Sequence, residues 1–162
     1  MAIQRKEDAE RIVDTYGDAV YKLALSLTRH KDVADDVFQE VFLRYMKKRP
    51  VFENEKHARA WFYIVTKNCC RTHFMSAFIR HSAPLDQEIP FLNDPDYKLY
   101  QYVLELPVKY RIVIHLFYYE GYSTREIAAI LKKKEATVRT QLKRARTLLK
   151  KVMEGSDSLE NL

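Results

Sequence analysis

Residues 123–149 read STREIAAILKKKEATVRTQLKRARTLL, and this stretch decides the fold of the second half of the chain. Ser123 followed by Glu126 is the S-x-x-E capping box, in which each side chain bonds the backbone N–H of the other residue at the start of a helix. Three lysines then interrupt the apolar pattern, which resumes at helical spacing. The stretch therefore predicts two helices, over 124–131 and 135–152, joined by a tight turn.

The second of these helices has two chemically different sides. Apolar residues at helical spacing predict its buried side: Val138, Leu142, Ala145 and Leu149. The exposed side carries Arg139, Thr140, Lys143 and Arg144, with Arg146 beside them. A helix that is packed against the protein on one side and presents short polar and long cationic side chains on the other is suited to contact base edges in the major groove of DNA. The alternative is an amphipathic hairpin with a basic surface.

The positive charge of the chain is concentrated at this end. The whole chain has a net charge of +6, whereas residues 132–151 carry nine lysines and arginines against Glu135 alone, a net charge of +8. The remainder of the chain is therefore slightly acidic. A basic segment on such a chain is typical of a polyanion-binding module joined to another part. A solvated basic helix is the alternative that charge alone leaves open.

Length and composition exclude several classes of protein. A chain of 162 residues fits one medium or two small domains, and three glycines and five prolines argue against collagen-like or turn-rich β folds. No apolar run approaches the roughly 18–20 residues of a membrane span, and the N-terminus lacks a signal-peptide core, so we expect a cytoplasmic protein. Adjacent Cys69 and Cys70, and histidines without zinc-ligand spacing, predict neither a disulfide framework nor a metal site.

Helical periodicity continues along nearly the whole chain and predicts an all-α fold of two small domains. The clearest break is HSAPLDQEIPFLNDPD, residues 81–96, which contains three prolines. The predicted organisation is a first domain over 1–81, a linker over 82–96, a second domain over 97–153 and a flexible tail over 154–162. The other predicted helices span 3–30 (one or two helices), 31–47, 57–80, 97–105 and 108–120. Pro107 suits the first turn of the last of these and Gly121 its C-terminal cap.

The helix predicted over 31–47 has one apolar and one acidic side. The apolar stripe consists of Ala34, Val37, Phe38, Val41, Phe42 and Tyr45. The opposite side carries Asp32, Asp35, Asp36, Gln39, Glu40 and Leu43. An acidic surface with a leucine at its edge suits the docking of a basic helical partner. An ordinary solvated face is the alternative.

Taken in order, these motifs resemble bacterial sigma factors. LPVKYRIVIHLFYYEGYSTREIAAIL, residues 106–131, with TVRTQLKRARTLL after it, is similar to region 4. DDVFQEVFLRY, residues 35–45, is similar to region 2.2, and WFYIVTKN, residues 61–68, to regions 2.3 to 2.4. With regions 2 and 4 alone, the chain resembles the extracytoplasmic-function (ECF) group of the sigma-70 family, over about residues 10–80 and 97–152.

The resemblance implies a transcription initiation factor, not an enzyme, with no cofactor and no small-molecule substrate. Its partners would be promoter DNA and core RNA polymerase, the latter through the β′ clamp helices and the β flap. The residues implied in polymerase binding are Asp35, Asp36, Gln39, Glu40 and Leu43. Those implied at the minus-ten element are Phe52, Asn54, Lys67, Asn68 and Arg71, and in relatives the positions of Phe52 and Asn68 line the pocket for a flipped base. Those implied at the minus-thirty-five element are Arg139, Thr140, Lys143 and Arg144.

The chain departs from the family's pattern at several positions. Val33 stands where the region 2.2 pattern has its first acid. Three lysines, 132–134, form the turn that usually reads Gly-Ile-Ser, so the turn lacks both the residue best suited to positive φ and a helix N-cap. Thr72 and Met75 stand where relatives often carry Asp and Arg, which implies fewer contacts between duplex DNA and the helix predicted over 57–80.

Regulation and rival functions complete the sequence-based picture. The resemblance implies an anti-sigma factor, membrane-bound for many relatives, and a linker that either threads a polymerase channel or is simple coil. A LuxR-type regulator with a helical sensor shares the E-I-A…T-V core of the helix-turn-helix. The Arg-Ala-Arg sequence after Lys143, the Leu106-Pro107 pair and the acidic face at 35–40 argue against it. An enzyme on an all-α scaffold would need paired carboxylates, a nucleophile–histidine arrangement or a phosphate-binding glycine loop, and the sequence offers none of these.

Overall fold

The computed structural model describes the backbone of residues 2–80 and 98–160, and the side chains of residues 6–73 and 98–155. Every regular element within these ranges is helical, which confirms the predicted all-α class. The chain divides into two compact units, one before and one after the junction of Glu88 and Ile89. That junction, and the predicted linker over 82–96, lie outside the described residues.

The first unit contains three long helices that pack against one another in all three pairs. They are α1 (Ala2–Thr28), α2 (Lys31–Lys48) and α3 (Glu55–Arg80), so the 3–30 segment forms a single helix. Val37 and Val41 of the predicted α2 stripe are fully buried, while Phe38 and Tyr45 at its margins are partly exposed. The apolar stripe of α2 therefore faces α1 and α3, and its acidic side is left outside.

The joints between these helices are set by local polar contacts. The ring Nδ1 of His30 accepts a hydrogen bond from the backbone N–H of Val33 at 3.3 Å and caps α2. Oδ1 of Asn54 accepts from the backbone N–H of His57 at 2.8 Å and caps α3. Arg29 and Arg49 end α1 and α2 in the left-handed region, with φ of +55° and +43°. These contacts satisfy helix-end groups that would otherwise lack partners.

Phe62 lies at the centre of an aromatic cluster that joins the three helices. Its ring centroid is 4.6 Å from that of Tyr16 on α1 and 5.6 Å from that of Phe42 on α2, spacings typical of favourable ring pairs. Phe62 and Tyr63 are both buried, and Trp61 is the partly exposed member of the three. The cluster fixes the face of α3 that meets the loop between α2 and α3.

The second unit is built from short helices followed by one long helix. They are α4 (Tyr100–Val103), α5 (Val108–Ile114), a π-helical segment (His115–Tyr119), α6 (Thr124–Leu131) and α7 (Glu135–Glu160). The predicted 97–105 helix is thus only one turn long within the described residues. α7 is helical as far as Glu160, so the helix extends into the predicted tail over 154–162.

The predicted 108–120 helix changes type at His115. Tyr100 and the Nδ1 atom of His115 share a hydrogen bond, and Nε2 of His115 lies 3.2 Å from Oε1 of Glu120. The backbone N–H of Glu120 bonds the carbonyl of His115, a spacing of five residues. Gly121 then turns the chain with a φ of +74°, in agreement with the predicted glycine cap. Pro107 lies just before α5, at its N-cap, not within its first turn.

Candidate nucleic-acid and protein interfaces

The helix-turn-helix forms as the sequence predicts. Ser123 Oγ accepts from the backbone N–H of Glu126 at 3.1 Å, and Glu126 Oε1 accepts from the backbone N–H of Ser123 at 3.2 Å, which completes the capping box. Thr124 Oγ1 also donates to Glu135 Oε1 at 3.0 Å, so the first residues of α6 and α7 are tied together. Lys132 makes the turn in the left-handed region, with φ +54° and ψ +49°, although it is not a glycine.

The predicted reading face of α7 points into solvent. Val138, Leu142 and Ala145 are buried on the opposite side, and Leu149 is half-buried. All four predicted minus-thirty-five residues are exposed: Arg139, Thr140, Lys143 and Arg144. Thr140 Oγ1 donates to the carbonyl of Ala136 at 3.0 Å, so the hydroxyl is held against the helix. A rigid helix with this exposed face can enter a major groove without rearrangement.

The side chain of Arg146 is bound to another element of the protein, unlike the cationic side chains of Arg139, Lys143 and Arg144. Its Nε donates to the hydroxyl of Tyr118 at 2.6 Å, and its guanidinium lies 5.7 Å and 5.6 Å from the ring centroids of Phe117 and Tyr118. Cation–π contacts of this kind stabilise an arginine against an aromatic surface. Arg146 therefore helps to hold α7 on the π-helical segment.

The acidic side of α2 is also exposed, as predicted. Asp32, Asp36 and Gln39 are exposed, Asp35 and Glu40 are half-exposed, and the side chain of Leu43 is 58% exposed in the middle of this surface. Ion pairs join Lys31 to Asp35 at 3.6 Å and Arg44 to Glu40 at 3.1 Å. Exposed pairs one helical turn apart contribute little, so they do not prevent these carboxylates from meeting a partner.

Asp35 has a second contact that ties the acidic surface to α1. Burial raises the pKa of Tyr21, and a hydrogen bond between its side chain and Asp35 raises that pKa further. The ring of Tyr21 meets Phe38 edge-on, with centroids 6.1 Å apart. Asp35 is thus the anchored member of the surface, whereas Asp36 and Gln39 project freely into solvent.

The predicted minus-ten residue Phe52 lies in the loop between α2 and α3. The ring of Phe52 is half-buried and packs among Tyr45, Trp61 and Phe62, with centroid distances of 6.5, 5.9 and 6.2 Å. Val51 is 91% exposed, and sequence analysis did not single it out. Phe52 is therefore partly accessible beside Val51, and its aromatic neighbours come from α2 and α3.

The remaining predicted minus-ten residues lie at different points along the first unit. Asn54 is exposed but uses Oδ1 to cap α3. Asn68 and Arg71 are exposed on α3, and Lys67 is half-buried. Asn68 is two helical turns, about 10 Å, beyond Trp61 on the same side of α3. Phe52 and Asn68 therefore mark positions along one strip of surface, with Trp61 between them.

The adjacent cysteines are enclosed in the first unit. Both are buried free thiols. Burial raises the pKa of Cys70 to about 12 and also raises the pKa of Cys69. A thiol with a raised pKa is a poor nucleophile and a poor metal ligand, so these side chains serve as small apolar residues. No helix in the described part of the chain is long and apolar enough to cross a membrane.

Two family models cover most of the chain. The model described as Sigma-70 region 2 matches residues 12–77, and the model described as Sigma-70, region 4 matches residues 97–149. RNA polymerase sigma factor SigV of Bacillus subtilis is 31% identical over 140 residues, which cover 80% of this chain and 81% of SigV. ECF RNA polymerase sigma factor SigX of the same bacterium is 23% identical over 92% of this chain and 85% of SigX.

Solved structures with the same fold include a sigma factor bound to an anti-sigma factor. The sigma factor RpoE of Bartonella quintana, in complex with the anti-sigma factor NepR, matches with a TM-score of 0.71 at 19% identity, covering 91% of this chain and 98% of RpoE. CnrH, in complex with the cytosolic domain of CnrY, matches with a TM-score of 0.68 at 22% identity, covering 93% and 90%. At these identities the likeness concerns the fold.

Proposed function

The chain belongs to the ECF group of the sigma-70 family, transcription initiation factors with regions 2 and 4, and on that premise we propose how its two units act. The first unit binds core RNA polymerase and the minus-ten element of a promoter. The second unit reads the minus-thirty-five element. The observation that carries the proposal is the pair of exposed surfaces on separate units, acidic on α2 and cationic on α7.

Polymerase binding is assigned to the acidic side of α2. Asp36, Gln39 and Leu43 project into solvent, while Asp35 and Glu40 are held in place by neighbours on α1 and α2. A surface of exposed carboxylates beside an exposed leucine complements a basic helical surface such as the β′ clamp helices. We assign the β flap to the second unit, on the ground of the family resemblance alone.

Upstream DNA recognition is assigned to α7. The N-terminal part of a recognition helix contacts base edges, and Arg139 and Thr140 lie within the first two turns of α7. Arginine can bond guanine through two hydrogen bonds, and threonine permits close approach to a thymine methyl group. The three lysines of the turn lie at the same end and add phosphate affinity.

Melting of the minus-ten element is assigned to the strip of surface along α3 and its preceding loop. Extrusion of a base costs a few kcal/mol, and contacts to the extruded base offset part of that cost. Val51 and Trp61 supply exposed apolar surface near the loop, and Asn68 and Arg71 supply polar groups farther along α3. Phe52, whose ring is partly exposed beside Trp61, and Asn54, which also caps α3, are proposed to contact this element as well.

The domain organisation and the regulation are also proposed from the family resemblance. We propose that residues 1–81 and 97–153 form the two functional units, that residues 82–96 link them, and that the protein acts in the cytoplasm. An anti-sigma factor that covers the acidic side of α2 or the cationic side of α7 would silence the protein; the similar sigma factor RpoE is bound to the anti-sigma factor NepR. The protein acts by binding and carries out no covalent chemistry.

A LuxR-type regulator is not favoured, because both units match sigma-70 family models: the first unit matches region 2 and the second unit matches region 4. The discriminating experiment adds the purified chain to core RNA polymerase without DNA. A sigma factor co-elutes with the core and then gives run-off transcripts from a pool of genomic fragments that the core alone does not produce. A chain that binds DNA but neither co-elutes nor directs transcripts contradicts the proposed function.

A further inference from the structure

A small polar cleft lies beside the exposed face of α7. Its volume is about 300 Å³, and it is lined by Lys109 and Tyr110 of α5 and by Thr137, Thr140, Gln141 and Arg144 of α7. We propose that this cleft binds one backbone phosphate of the DNA, held between Lys109 and Arg144. The proposal rests on the proposed function of α7 and extends the DNA contact to α5, outside the helix-turn-helix.

The charge of the cleft suits a phosphate. Lys109 and Arg144 are both exposed cations, no carboxylate lines the cleft, and neither cation forms an ion pair with another described residue. The ammonium of Lys109 lies 5.0 Å from the centroid of the Tyr110 ring, a contact that steadies the side chain and leaves its donors available. Lysine and arginine are the side chains that neutralise DNA phosphates.

The side-chain amide of Gln141, also in the lining, can add a neutral donor. Its Oε1 is buried and has no hydrogen-bond partner among the described residues, so no hydrogen bond at that oxygen fixes which way the amide points. With its NH₂ group turned toward the cleft, the amide donates to a phosphate oxygen. A volume equal to that of about ten waters accommodates a phosphodiester group with some hydration.

The position of the cleft favours DNA over a free phosphate ion. At 100° per residue, Thr140 and Arg144 lie about 40° apart on the exposed side of α7, and Thr137 and Gln141 border that side. When a helix occupies the major groove, a sugar–phosphate backbone flanks it on each side. A backbone that flanks α7 toward α5 passes over the cleft. Arg144 thereby becomes a phosphate contact that sets the register of α7, and base reading is left to Arg139, Thr140 and Lys143.

The test measures how DNA affinity depends on salt. The duplex is one selected by the wild-type full chain from a random pool, and the variants are Lys109→Ala and, as matched control, Lys151→Ala. Lys151 is exposed on the same side of α7 but about 16 Å beyond Thr140 along the helix. For Lys109→Ala we expect the slope of log K against log salt to become shallower by about 0.9, and affinity at about 0.1 M salt to fall roughly five- to tenfold. The control slope should stay at the wild-type value.

A second measurement identifies the phosphate source. Each backbone phosphate of the duplex is replaced in turn by a neutral methylphosphonate, and DNA affinity is measured for the wild type and for Lys109→Ala. At the one phosphate that occupies the cleft, the two proteins should bind the modified duplex with equal affinity. Equal slopes for Lys109→Ala and Lys151→Ala overturn the phosphate site but leave DNA reading by α7 intact. Saturable binding of inorganic phosphate at the cleft, with an unchanged DNA slope, also overturns it. If the wild-type chain selects no duplex, the proposed function itself fails.

Discussion

The three-lysine turn before α7 allows a stability prediction that can be worked out from its backbone. Lys132 ends α6 with φ +54°, whereas Lys133 is not among the described residues with positive φ. The left-handed conformation costs an L-residue about 1–2 kcal/mol, and a glycine at this position would remove that cost. Glycine also has more conformational freedom in the unfolded chain, which lowers the stability by about 0.4–1 kcal/mol. Lys132→Gly should therefore stabilise the second unit by about 0.5–1 kcal/mol, while Lys133→Gly should destabilise it by about 0.4–1 kcal/mol.

The assay is amide hydrogen exchange of the full chain, read at the buried residues Ile127 and Leu142. The two variants lose the same charge, so their difference isolates the backbone effect. A difference of about 1–2 kcal/mol corresponds to a roughly five- to thirtyfold difference in protection. Equal protection in both variants would refute the assigned turn geometry, and with it the relative placement of α6 and α7.

Three further predictions concern single side chains. Arg139→Ala should cost about 1–3 kcal/mol on the selected duplex and relax base preference at one position, measured by binding to a panel of single-base variants; an equal loss on every sequence would make Arg139 a phosphate contact. Asn54→Ala should lower the stability of the first unit by about 1 kcal/mol through loss of the α3 cap, followed in urea by the fluorescence of Trp61, the chain's single tryptophan. An unchanged midpoint would refute that cap. Cys69 and Cys70 should resist iodoacetamide at pH 7.5 until the protein unfolds, because burial raises the pKa of both thiols; stoichiometric labelling of the native protein would contradict their burial.

Local signals in the sequence predict much of the fold correctly. The S-x-x-E box at Ser123 fixes the start of α6, and the predicted span 124–131 agrees with Thr124–Leu131. The apolar period of α2 orients that helix, because every stripe residue must face the other two helices. As a result the acidic side, including Leu43, is correctly predicted to be exposed.

Features that depend on distant neighbours are not predictable in this way. The change to π-helix follows from contacts of His115 with Tyr100, fifteen residues earlier, and with Glu120. The partial burial of Phe52 depends on rings from α2 and α3 that converge only in the folded unit. The three lysines of the turn do not themselves indicate a left-handed residue; only the family's Gly-Ile-Ser pattern points to position 132, where Lys132 has a φ of +54°. At His115 and Phe52, contacts with residues far away in the sequence accompany the observed conformation.

The central claim is that the acidic side of α2 binds core RNA polymerase, and affinity for the core tests it most directly. The variant is Asp36→Lys with Glu40→Lys, and the control is Asp14→Lys with Asp18→Lys, an equal charge change at the same spacing on α1. We predict that the α2 variant binds the core at least about 30-fold more weakly than wild type, and that the control and the DNA affinity of the second unit are unaffected. Equal core affinity for the α2 variant and the wild type would contradict the account.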